Sequence, residues 1–167
     1  MYGVFRMKKL RVFGHLFGFF WCLPVSLLIW IYMLSLVMLG KIESVRVCKN
    51  FSIIWDVSND SWLYSKMHGR GWYGFTLGNN VIVNDDIEAK KVSLTHENEH
   101  VIQNYIFGIF FLPVYFLLML GIFIFLPEKH SYIDHPFERM ARRAAGQKLE
   151  YTRDEWPHGS SDRWTWW

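Results

Sequence analysis

The sequence predicts an α+β protein held at a membrane: an N-terminal transmembrane helix, a small antiparallel β-sheet, then helices that include an apolar, membrane-associated hairpin. Three observations carry that expectation. Two uncharged apolar stretches, 16–40 and 105–126, interrupt the chain. Between them lie short runs of alternating apolar and polar residues, the period of half-buried strands. From residue 92 onward the pattern turns helical around His-Glu-x-x-His at 96–100.

Composition sets the frame. A chain of 167 residues suits one small domain with appendages. Hydrophobic residues make up 51%, aromatics 19%, and there are nine Trp, more than an ordinary soluble domain carries. A net charge of +3 with 20% charged residues leaves no basic footprint for nucleic acid. Cys22 and Cys48 form neither a CxxC nor a zinc-knuckle spacing, and two cysteines make no disulfide framework.

Residues 1–40 read as a membrane anchor. Arg6, Lys8, Lys9 and Arg11 precede the apolar stretch 16–40, whose 25 residues are enough to span a bilayer with some tilt. The run exceeds a signal-peptide core and ends without a small-x-small cleavage pattern, so a retained anchor is expected. The basic cluster predicts a cytoplasmic N-terminus, with the residues after the anchor on the extracytoplasmic side.

Residues 41–150 are expected to form the domain. Strand candidates are 44–48, 52–57, 73–77 and 81–84, the last pair joined at Gly78-Asn79-Asn80 in a hairpin. In the helix after them, His96 and His100 sit one turn apart on the same face. Two imidazoles at that spacing can hold one Zn²⁺, with Glu97 leaning over the open position as general base. Read as His-x-x-Glu-His, the same five residues offer Glu99 instead. Gln103, seven residues beyond His96, returns to that face as a support for a ligand or a contact for substrate.

The 22 uncharged residues 105–126 are long enough for a second span. Zinc needs a third protein ligand, and Glu138 is the best placed by sequence. A straight crossing would separate it from His100 by about 30 Å. Gly108 can cap one helix and Pro113 can open the next. Helices over 92–107 and 112–126 therefore predict an antiparallel pair dipped into the membrane. Beyond them, Asp134 or His135 caps a short helix with Pro136 at its first position and Gly146 as its stop. A capping box explains Glu138 equally well. Residues 151–167 form a Trp-rich tail suited to interfacial anchoring.

His96-Glu97-x-x-His100-x-x-Gln103-Asn104-Tyr105-x-x-Gly108, then Pro113 and Tyr115, then His135-Pro136-Phe137-Glu138-Arg139-x-Ala141, resembles small gluzincin-type zinc metallopeptidases, bacterial membrane-associated or minimal members. The likeness covers about residues 72–146. It implies zincin-like helices with His96, His100 and Glu138 as zinc ligands, Glu97 as general base, a peptide or protein substrate, and a place in the bacterial inner membrane. Tyr132 is a candidate oxyanion donor. Two other readings compete: an inactive zinc-binding structural or interaction protein, and a metal-free two-span membrane protein.

Overall fold

In the computed structural model, residues 2–69, 72–84, 87–152 and 155 are described, and the Trp-rich tail lies almost wholly outside them. The fold is α+β. Helix α1 (Tyr2–Met38) leads into strands β1 (Ile42–Val47) and β2 (Ile53–Val57) and helix α2 (Trp62–His68). Strands β3 (Gly74–Leu77) and β4 (Asn80–Asn84) come next, then α3 (Ile87–Phe107), α4 (Phe111–Phe125) and α5 (Pro136–Ala144).

All four strands fall where the alternation places them, and the β3–β4 hairpin turns at Gly78 with φ +62°. The sheet is mixed, however, correcting the antiparallel expectation: its order is β1-β2-β4-β3, and β2 runs parallel to β4. The cause is the connection 58–73. It is long enough to step across one strand position, so β3 takes the outer edge and its hairpin partner β4 fills the slot beside β2. Helix α2, within that connection, went unforeseen. Ser61 caps it, accepting the Leu63 N–H at 3.2 Å, a device that contributes about 1 kcal/mol. Its Leu63 and Met67 pack on Trp55 and Ile82, holding the connection over one face of the sheet.

Helix α3 covers the other face through Val101 and Tyr105, against Ile54, Val81 and Val83. Helix α1 packs along the domain. Cys22, Ser26, Met33 and Leu36, at helical spacing, are all buried, while Phe17, Phe20, Leu28 and Ile31 on other faces stay exposed.

Two helical stretches are long and apolar enough to cross a membrane, Gly14–Met38 and Lys91–Phe125. The second is broken. Gly108 has φ +56°, a left-handed conformation that an L side chain adopts only at a cost, and it opens a short 3₁₀ turn over Gly108–Phe110. A Cβ there would also stand 2.2 Å from Nε1 of Trp21. The break lets α4 fold back, so the ring of Phe111 comes within 6.4 Å of the ring of His100. In an unbroken helix those residues would be about 16 Å apart. Phe111, Tyr115 and Met119 then bury against Phe137 of α5.

Helix α5 begins and ends as its sequence signals. His135 Nδ1 accepts the Phe137 N–H at 3.2 Å, Pro136 takes the first position, and Gly146 with φ +67° stands just past the last turn. Buried Arg142 donates to the Ile133 carbonyl and ties the preceding loop to the helix.

Candidate metal centre

Helical spacing puts His96 and His100 on one face of α3, and the fold-back of α4 brings α5 against that face. Glu138, in the first turn of α5, points between them. The three side chains meet: Nε2 of His96 and Nε2 of His100 are 3.2 Å apart. Glu138 Oε1 lies 3.2 Å from His100 Nε2, and Oε2 lies 3.3 Å from His96 Nε2. His100 and Glu138 are buried, His96 partly so.

Whether these donors fit a cation can be tested from their outer contacts. Gln103 is buried, and its Nε2 donates to the Phe137 carbonyl at 3.2 Å, which fixes the orientation of its amide. Its Oε1 therefore faces His100 Nδ1 at 2.8 Å and accepts the ring proton there. Oε1 of Gln147 sits in the same way 2.8 Å from His96 Nδ1. Each ring then turns its Nε2 towards the Glu138 carboxylate. Two ring nitrogens and a carboxylate packed this closely need positive charge between them, supplied by protons or by a metal ion. One ligand atom from each of the three residues lies within 4.8 Å of the others, close enough to share one ion, and two imidazoles with a carboxylate are a donor set that zinc takes. The residues fit Zn²⁺.

Glu138 is held further by Tyr115 of α4, whose hydroxyl donates to Oε1 at 2.8 Å. Burial opposes its charge, but the field and hydrogen bonds of His100 and His96 outweigh that and hold its carboxyl well below the usual range. His135 is spent elsewhere: Nδ1 caps α5, Nε2 donates to the Tyr115 carbonyl at 3.0 Å, and the ring stacks on Tyr115. Burial lowers its pKa to about 4, partly offset by that bond to the Tyr115 carbonyl and by the Glu138 charge. The ring is neutral and serves as a cap rather than a ligand.

The donors open on a cleft of about 210 Å³. Glu97 lines it, buried, with Oε2 accepting the Thr76 hydroxyl at 2.8 Å. Glu99 is half-buried and does not line the cleft. Tyr132 does, and burial together with the Glu138 carboxylate pushes its phenol well above the ordinary value, so it stays a hydrogen-bond donor. Strand β3 forms one wall and the start of α4 another. Sequence reasoning placed the three donors, Glu97 and Gln103. It missed Thr76 and Gln147, whose partners lie 21 and 51 residues away and leave no local signal.

No family model matches the chain, and neither a curated protein nor a solved structure matches it.

Proposed function

We propose that the chain is a membrane-associated, zinc-dependent peptidase. The observation that carries the reading is the convergence of His96 Nε2, His100 Nε2 and the Glu138 carboxylate at 3.2–3.3 Å, with the Gln147 and Gln103 amide oxygens against the far ring nitrogens. Zinc in such a set acts as a Lewis acid and lowers the pKa of water towards 7.

The chain's own residues do the rest. Glu97 accepts a proton from the attacking water and returns it to the leaving amine, its carboxylate aimed by Thr76. Tyr132, kept protonated, stands in the cleft as a donor for charge developing on a carbonyl oxygen. Strand β3 is one of the two edge strands of the sheet and borders Glu97. An extended peptide added to its edge would pass along the cleft.

The test is a paired measurement on the full-length protein in detergent. The wild type should carry about one zinc per chain and cleave quenched fluorescent peptides. Glu97→Gln should keep the zinc and lose about 10²–10⁴-fold in rate. Full activity in that variant removes Glu97 as the base. A wild type that binds zinc but cleaves nothing supports the inactive zinc-binding module instead. Absence of zinc overturns both.

A further inference from the structure

We infer that the chain beds into one leaflet of a lipid bilayer rather than crossing it, with α1 and α4 forming a single lipid-covered face. The inference holds whether or not the metal centre is catalytic.

The domain lies beside α1 from His15 to Leu36, not beyond its far end. The His15 and Tyr105 rings are 6.0 Å apart, and a Cβ on Gly18 would stand 2.3 Å from that of Tyr105. Cys22 packs in the cluster that holds Val101. Halfway along the apolar stretch, Ser26 Oγ accepts the Asn79 N–H at 3.1 Å. Further on, Met33 and Leu36 pack in one cluster with Trp55 and Val57, and the Lys41 carbonyl accepts the Ser58 N–H at 3.0 Å. A crossing by α1 would carry the sheet into the hydrocarbon.

The sheet is not made for that. Strand β1 is an edge strand, and among the described residues no strand pairs with its outer side. Glu43, Arg46 and Lys49 are exposed on or just beyond it. The ring of Phe51, two residues past Lys49, is 6.0 Å from Phe19 of α1, so Lys49 lies level with the apolar stretch. Open sheet edges do not face lipid, and a charge there is strongly disfavoured. Water must therefore reach β1 alongside α1.

What lipid can cover is the other flank. Phe17, Phe20, Leu28 and Ile31 are exposed on α1. The rings of Trp21 and Phe110 meet at 6.2 Å and join this surface to α4, where Leu117, Ile124 and Phe125 are exposed. Stretch 105–126 makes no net crossing, since the chain leaves His100 and returns to within 3.2 Å of it at Glu138. Charge complements the placement. Residues 16–40 carry none, while Arg6, Lys8, Lys9 and Arg11 before them and Lys41 after them border both ends, as anionic headgroups along an in-plane helix would favour.

The test is sidedness in sealed membrane vesicles of one orientation. In a full-length Cys22→Ala, Cys48→Ala background, Lys9→Cys and Glu43→Cys are each exposed to a membrane-impermeant maleimide before and after detergent. The two positions should behave alike, both labelled or both protected, in protein that resists alkaline extraction. Labelling of one and protection of the other puts α1 across the bilayer and overturns the inference. Release by alkali as a dimer overturns it too, making a second copy the occupant of the face. If the cysteine-free chain fails to fold, protease protection of epitope tags on both termini of the native chain gives the same comparison.

Discussion

Gln103 grips His100 from behind: its Oε1 lies 2.8 Å from Nδ1 of the ring, while its Nε2 donates to the Phe137 carbonyl one residue before Glu138. One amide thus sets the tautomer of one donor and ties the helix that carries the third. Outer contacts of this kind raise metal affinity by orienting the ring and fixing its proton.

Gln103→Ala should therefore weaken zinc binding by about 10–100-fold while α3 stays helical. Titration against a chromophoric chelator, beside the circular dichroism of the metal-free protein, checks it. Unchanged affinity would mean that the ring is held by packing alone.

The ring of His135 gives a pH dependence. Its folded pKa of about 4 lies below the ordinary histidine value of about 6.5 because the ring is buried neutral. Between those values the unfolded chain binds the extra proton, so stability is full above about pH 6.5 and declines as pH falls towards 4. Urea midpoints of the metal-free protein should fall across that window. In His135→Asn, which keeps a side-chain oxygen for the cap, the share of the fall that belongs to this ring should vanish. Parallel curves for the two proteins would assign the pH dependence to other groups.

These contacts mark where the sequence is legible and where it is not. His135, Pro136 and Gly146 announce α5 because a cap, a first-turn proline and a left-handed stop act within a few residues. The His96/His100 pair is visible for the same reason, being one turn of one helix. Glu138 was reachable because the apolar stretch holds a glycine able to reverse the chain. Strand order was not legible: alternation says that 53–57 and 80–84 are strands but not which is neighbour to which. Nor was Thr76 legible as the partner of Glu97, since only the folded sheet brings β3 against α3.

Tyr115 bears on the third donor. Its hydroxyl is 2.8 Å from Glu138 Oε1, inside the apolar cluster of Phe111, Met119 and Phe137. Tyr115→Phe keeps the ring packing and removes one donor from a buried carboxylate, a loss of about 1–3 kcal/mol in the metal-free state. Thermal unfolding in detergent should show it. Zinc should restore much of the difference, because the ion compensates the same oxygen. A variant as destabilised with zinc as without would place the cost in packing.

Gly108 tests whether the reversal of the chain is what assembles the centre. Its φ of +56° costs a residue with a Cβ about 1–2 kcal/mol, and that Cβ would meet the Trp21 indole at 2.2 Å, so either the ring or the turn must move. If the turn moves, α4 swings with it, and both Phe111 beside His100 and Tyr115 on Glu138 are displaced. Gly108→Ala should then lose zinc affinity along with stability, although the residue touches no donor. Trp21→Ala supplies the control: in the double variant the clash is gone and only the backbone strain remains. Partial recovery of zinc binding there would show that the two apolar helices are set against each other by this contact. No recovery would assign the whole effect to the left-handed turn.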